Sequence, residues 1–418
     1  MIRIPKGVKD VLPQDSYKWQ HVESVARKVC ALGGFKEIRT PTFEHTGLFT
    51  RSIGDNTDVV SKEMYTFEDK AGRSLTLKPE GTACVARSYV ENALEANSLP
   101  LKMYYFTPVF RYENPQAGRY REHHQFGVEV YGSPSPIMDY EVIKLAYDFL
   151  TALGIDKLQL RLNSIGCPTC REKYNVALKE YLGSKLDALC PTCRERFEKN
   201  PLRIIDCKVP SCKEIVAGAP RIIDYICEDC KEHLALLRAY LDDAEIPYEI
   251  DPDIVRGLDY YTKTVFEFVT TALGAQGTVC GGGRYDNLVE SVGGKATPCV
   301  GFGLGIERLL LLSEALGLNL GNAQTLQVFV MSQSPSYVDE CLKTVRELRK
   351  AGISADTEYN GRSLKAQFKY ADKIGAKYAV VIGENEAASG KVAVKRLSDG
   401  HIEEADLNNL AKAIDRIS

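Results

Sequence analysis

The sequence predicts an α+β fold: an antiparallel sheet flanked by helices, interrupted by a cysteine-rich insertion and followed by a separate C-terminal α/β domain. Three observations carry this. Residues 103–113 and 123–131 are both strand-like, and Asn114-Pro115-Gln116-Ala117-Gly118 between them reads as the long loop of an antiparallel hairpin. Eight of the thirteen cysteines crowd into positions 167–230. Past Gly321 strands and helices alternate, as in a small α/β domain that folds by itself.

The elements follow in order. Trp19, Val22, Val25, Val29 and Leu32 recur at helical spacing over 16–32, and Gly33-Gly34 stops the run. Phe35–Arg39 is strand-like and reaches Pro41. After the hairpin, 138–153 reads as a helix, 262–269 and 299–304 as strands, and 305–316 as an apolar helix. Beyond a hinge at Gly317–Gln324 come strand Leu326–Met331, helix 337–350, strand 353–359, helix 363–375, strands 378–382 and 391–397, and a last helix over 406–416. The expected domains are 1–165 with 236–322, an insertion over 166–235, and 326–418.

At 418 residues there is ample material for a core. With 44% apolar residues and a net charge of −3, a wholesale basic coat for nucleic acid is excluded, while a local basic face is permitted. The N-terminus has no apolar targeting stretch and no segment approaches membrane-spanning length. Abundant cysteine without a secretory signal points to a reducing compartment, so a cytoplasmic protein with no membrane contact is expected.

Arg256-Gly257-Leu258-Asp259-Tyr260-Tyr261 places a cation and two phenols just before the strand at 262. Arginine stays charged, so Arg256 needs an anion opposite it, either a nearby carboxylate such as Asp259 or a ligand. On strand 123–131, period two puts Gln125, Gly127, Glu129 and Tyr131 on one face and Phe126, Val128 and Val130 on the other. That describes a floor for a small polar ligand, or a half-exposed strand facing solvent. Arg111 belongs to the preceding strand, and Arg119 and Arg121 to the loop between.

Gly301–Leu312 is a glycine-spaced strand running into an apolar helix, without the spacing of a dinucleotide fingerprint. No P-loop motif occurs anywhere. Arg308, in the first helical turn, adds its charge to the positive helix end and can meet a phosphate or bridge to an acid. Pro79-Glu80-Gly81-Thr82 offers a carboxylate in a tight turn, a receptor for an ammonium group, and Gly281-Gly282-Gly283-Arg284-Tyr285 lets backbone press close to a ligand.

Together these stretches resemble the class II aminoacyl-tRNA synthetases, and among them the histidyl-tRNA synthetases, over essentially the whole chain. Phe35–Arg51 is similar to the dimer-forming first motif, Phe110–Tyr131 to the second and Gly301–Arg308 to the third. Arg256–Tyr261 resembles the histidine-specific signature. The resemblance implies activation of L-histidine with ATP and Mg2+, then transfer to the tRNA specific for histidine, by a homodimer. It implies ATP contacts at Arg111, Glu113, Arg119 and Arg308, and transition-state charge stabilisation by Arg111 and Arg256. It implies a histidine pocket of Glu80, Gly81, Thr82, Arg111, Gln125, Glu129, Arg256, Tyr260, Tyr261 and Tyr285. Glu80 and Thr82 would take the ammonium, and Glu129 and Tyr261 the ring, with Asp259 steadying the loop. Gln116 is the candidate for the tRNA acceptor end.

The pairs Cys167/Cys170, Cys190/Cys193, Cys207/Cys212 and Cys227/Cys230 point to one or two structural Zn2+ sites, and the first two pairs are spaced as in a zinc ribbon. Cys30, Cys84, Cys280, Cys299 and Cys341 stand singly in apolar settings and read as packing residues. Positions 343–377 carry nine Lys/Arg against four Asp/Glu, and this region resembles an anticodon-binding domain. Two other readings compete: a regulatory subunit of ATP phosphoribosyltransferase, which shares the core but lacks the C-terminal domain, and a zinc-dependent RNA-binding protein.

Overall fold

The computed structural model describes residues 1–54, 57, 59–273 and 277–417. The chain divides into two compact units, Met1–Asn322 and Ala323–Ser418.

The first unit is built on an eight-stranded sheet. Its order is Lys36–Glu37, Leu101–Phe110, Glu122–Tyr131, Cys299–Gly305, Thr278–Arg284, Thr262–Val269, Gln159–Ser164, Tyr248–Ile250. All inner neighbours are antiparallel and only the two outermost pairs are parallel. One face is apolar because alternate residues are apolar: Phe126, Val128 and Val130 pack with Phe302, Leu304 and Phe266 against helices Pro13–Leu32, Pro136–Ala152, Glu228–Asp243 and Ile306–Ala315. The helix at Pro136 starts where sequence chemistry favours it, with Pro136 in the first turn and the Ser135 hydroxyl accepting from the Ile137 N–H. The opposite face is left for the site.

Most expected elements form within a few residues of their expected ends. The hairpin strand stops at Phe110, however, so Arg111 lies just beyond it, its N–H donating to the Arg121 carbonyl at 2.9 Å. The stretch between Pro41 and the hairpin holds unforeseen elements, a small sheet of Phe43–His45, Ser74–Leu77 and Tyr65–Glu68 with helices Thr46–Ile53 and Thr82–Glu91. Three- and four-residue strands are too short to declare a period.

The second unit has five strands, ordered Ala355–Thr357, Val328–Ser332, Tyr378–Ile382, Lys391–Arg396, Ile402–Asp406. The first three pair in parallel and the last two antiparallel. Val328, Val330, Val380 and Ile382 face one apolar cluster while Phe329, Met331 and Ala379 face another, as parallel strands covered on both sides require. The last helix begins at Leu410 rather than 406, because Ile402–Asp406 forms the edge strand.

Candidate active site

The open face of the large sheet is shaped by missing side chains. Gly301 pairs with Glu129, Gly303 with Gly127 and Gly305 with Gln125, and on the other side Gly281 pairs with Gly303 and with Glu267. A Cβ at Gly301 would collide with the Glu129 carboxylate, and one at Gly127 or Gly81 with the Tyr105 ring. At Gly303 it would lie 2.6 Å from Gln125 Nε2, and at Gly281 2.5 Å from an Arg256 guanidinium nitrogen. Glycine thus makes room for long polar side chains to lie flat on the sheet.

Above this floor opens a cleft of about 1600 Å³, whose walls include Arg111, Arg119, Arg256, Arg308, Gln125 and Glu113. Arg111 Nε donates to the Pro79 carbonyl at 2.8 Å, and its Nη1 stands 4.0 Å from Glu113, which Arg119 approaches to 3.3 Å. Arg308 Nη1 donates to the Thr278 carbonyl at 2.7 Å. Burial and the Arg119 charge pull the Arg308 guanidinium below its ordinary range. His123, also in the wall, is pushed down to about 3 by burial and by the cations Arg111, His124 and Arg308, so it stays neutral. Such a concentration of guanidinium favours a polyanion.

Arg256 is not paired with Asp259. Its guanidinium bridges to Glu267, on the strand that follows it, and lies 5.7 Å from the Tyr261 ring centroid. Its buried Nε has no hydrogen-bond partner among the described residues. Asp259 instead accepts from Asn200 Nδ2 at 2.8 Å, a contact that fixes the loop.

Glu80, Gly81, Glu129, Tyr260, Tyr261 and Tyr285 are not among the residues lining this cleft; they are buried and form a polar cluster, with Thr82 beside it. Glu129 is fully buried and accepts from the hydroxyls of Tyr105, at 3.0 Å, and Tyr285. Burial pushes its carboxyl up to about 8, despite the hydrogen bond from Tyr285 that works the other way. Glu80 accepts from the N–H groups of Thr82 and Ala83 at 2.8 and 2.7 Å, capping helix Thr82–Glu91, while burial still raises its pKa. Gln125 belongs to both, lining the cleft while its Oε1 accepts from the Gly81 N–H at 3.1 Å. The rings of Tyr260, Tyr261 and Tyr285 sit 4.8 to 6.3 Å apart, centroid to centroid.

The eight clustered cysteines gather into two groups, Cys167/Cys170/Cys227/Cys230 and Cys190/Cys193/Cys207/Cys212. The spacing of the first two pairs suits a zinc ribbon, but the sequence leaves the pairing open, and in the fold those two pairs belong to different groups. Helix Pro168–Gly183, which holds Cys170 in its first turn, carries the chain about 20 Å onward from the first pair. The first pair therefore meets the last, and the middle two meet each other. Cys30, Cys84, Cys280, Cys299 and Cys341 are singly buried.

Comparison with known proteins shows what the chain is similar to. The family described as "Histidyl-tRNA synthetase" matches residues 7–169 and 213–309, and that described as "Anticodon binding domain" matches 327–417. The histidine–tRNA ligase of Clostridium perfringens is 55% identical over 408 residues, 97% of each chain. That of Acetivibrio thermocellus is 52% identical over 410 residues, 98% of each chain. The crystal structure of the apo histidyl-tRNA synthetase of S. aureus superposes with a TM-score of 0.85 at 39% identity, covering 99% of this chain and 100% of that one. The chain belongs to the histidyl-tRNA synthetase family.

The histidyl-tRNA synthetase match skips 170–212, which holds the second cysteine group whole. Sequence reasoning missed three residues around the site. Tyr105 lies between Gly81 and Gly127 and binds Glu129, yet it sits in the unpatterned run Met103-Tyr104-Tyr105-Phe106. Glu267 is a polar residue within an otherwise strand-like run, and His123 adjoins a second histidine at a strand end, so neither stands out along the chain. Register would have found Glu267, since it pairs with Gly281 beside the arginine. Among the described residues no helix is long and apolar enough to cross a membrane.

Proposed function

We propose that the chain is a histidine–tRNA ligase. It joins L-histidine to ATP as histidyl-adenylate, releasing pyrophosphate, and then passes the histidyl group to the 3′ end of its tRNA, releasing AMP. The observation that carries the reading, beside family membership, is Glu129, a buried carboxyl held by two tyrosine hydroxyls in the same fold unit as an arginine-rich cleft. Imidazole has one donor and one acceptor nitrogen, and Glu129 with Tyr261 supplies partners for both. Leaving either buried partner unmatched penalises side chains of similar size.

Glu80 and Thr82 take the ammonium, and Gln125 and Tyr260 flank the substrate, with Gly81 leaving room and Tyr285 fixing Glu129. A histidine carboxylate oxygen then attacks the α-phosphorus as the bond to pyrophosphate breaks. Charge building on the phosphoryl oxygens is met by Arg111 on one side and Arg256 on the other. Arg119, Arg308 and Glu113 position the rest of the nucleotide. Mg2+, arriving with ATP, takes oxygen ligands, and Glu113 and Glu267 are carboxylates within the cleft wall. Four thiols in each cysteine group fit the preference of Zn2+ for thiolate ligands, and the metal there is structural.

In this reading 1–165 with 236–322 is the catalytic domain, 166–235 the insertion and 326–418 the anticodon-binding domain. The enzyme is cytoplasmic and works as a homodimer, for which the exposed rings of Phe43 and Phe67, 6.4 Å apart, offer apolar contact. The regulatory-subunit alternative is disfavoured by Arg111, Arg256 and Arg308 together with the C-terminal unit. Histidine-dependent exchange between ATP and pyrophosphate tests the whole reading. Exchange is expected with histidine alone, and Arg256→Ala should keep histidine binding but lose about 10²–10³-fold in rate. Faster exchange with another amino acid would refute it, and a parental rate in the variant would refute the catalytic role of Arg256.

A further inference from the structure

The geometry of the cysteines goes beyond a metal of unspecified number and role. In the first group Cys167 Sγ lies 3.5 Å from Cys170 and 4.0 Å from Cys227, and Cys170 Sγ 3.9 Å from Cys230. In the second, Cys190 Sγ lies 4.0 Å from Cys207. All four sulfurs of each group fall within 4.8 Å of one another. Zn–S bonds of about 2.3 Å in a tetrahedron put sulfurs about 3.8 Å apart, whereas a disulfide needs about 2.05 Å. The spacings match the first and not the second.

Local structure is arranged for thiolate. Cys167, Cys190 and Cys227 each stand at the N-cap of a helix, where backbone N–H groups and the helix dipole favour negative charge. The Cys227 N–H donates to Cys170 Sγ at 3.0 Å, and the Cys190 N–H to Cys212 Sγ at 3.2 Å. Between Ser164 and Tyr248 the chain forms no strand, only helices and single turns, so a sheet does not order it. Metal clips are the common remedy for such segments.

Both groups lead to the same place. Next to the first, the Gly166 carbonyl accepts from the Lys263 N–H at 2.9 Å, and Arg171 donates to the Tyr261 carbonyl. The second closes a loop that carries Asn200, bound to Asp259, and Arg203, whose Nη1 is 3.5 Å from the Arg256 carbonyl. The segment from Arg256 to Lys263 is thereby held from two directions.

We propose that the eight cysteines form two independent zinc sites that brace the Arg256–Tyr261 segment, the second acting through Asn200 as a positioning residue. Zinc itself belongs to the functional reading above; the pairing and the role do not, and only the activity readout rests on that reading. Native mass spectrometry of the full chain, prepared reduced and metal-replete, should find two zinc ions. Stepwise chelation followed by alkylation and peptide mapping should expose cysteines in the two sets of four, never with Cys167 and Cys190 in one set. No zinc, one zinc, disulfides or mixed sets would overturn the pairing.

Cys193→Ser should hold one zinc with the first set still protected; if it does not fold, the alkylation map of the parent chain decides. Asn200→Ala should keep two zinc ions and its thermal midpoint while kcat for exchange falls about tenfold. An unchanged kcat would overturn the positioning role. An active chain without zinc refutes this inference alone, and an inactive chain with two zinc ions refutes the ligase reading alone.

Discussion

At the scale of single residues, Glu129 concentrates the tension between stability and function. Its folded carboxyl titrates at about 8 rather than at the ordinary 4.5, so the unfolded chain gives up this proton first. Stability is therefore lost as pH rises from about 4.5 to about 8, and is level above that. Glu129→Gln removes the titration. The variant should be more stable by on the order of 2 kcal/mol at pH 8, with a gain that shrinks toward pH 5, and should lose histidine-dependent exchange. Thermal denaturation across pH checks the first part, and an unchanged gain at both ends would refute it. Glu129 was legible because alternation on strand 123–131 assigns each face. Tyr105 was not, since its importance comes from glycines that are distant in sequence.

Elements are locked together by a buried network that no local pattern announces. Arg284 closes the glycine strand, is fully buried, and binds Asp139 of helix Pro136–Ala152 through Nε at 3.0 Å. His233 of helix Glu228–Asp243 approaches the same carboxylate at 3.1 Å. One strand and two helices thus meet at one carboxylate, held below its usual range by His233 and Arg284 although burial opposes them. Arg284→Ala strands the Asp139 charge and should cost about 3–5 kcal/mol, read as a lowered denaturation midpoint. In sequence Gly281–Tyr285 stands out for its close backbone, and nothing in the run marks its arginine as buried. The helix-length offset that pairs the cysteines was hidden for the same reason. Sequence shows which residues are near along the chain, whereas these pairings are set by where helices end.

At the scale of the whole molecule the chain has two compact units. Each has its own apolar clusters, and exposed Lys365, Lys369 and Lys373 recur every fourth residue along helix Leu364–Lys373 of the second. A chain of residues 1–322 should retain histidine-dependent exchange and lose tRNA charging. In the full chain, replacing those three lysines with alanine should raise the KM for tRNA and flatten its dependence on salt. Equal charging by the shortened chain would assign tRNA selection to the first unit. The alternation of strand and helix past Gly321 made the second unit legible, apart from its edge strand.

The glycine floor has a consequence in heredity. Every missense change at a glycine codon adds at least one carbon, because no residue is smaller. At Gly127, Gly281, Gly301 and Gly303 that carbon meets a ring or a charged or amide group already in place. A chemist could resize a pocket lined by side chains in either direction, but this one admits change in only one. Alleles at these codons should be found almost wholly among losses of function, and new amino-acid specificity should arise from the residues that lie across the floor.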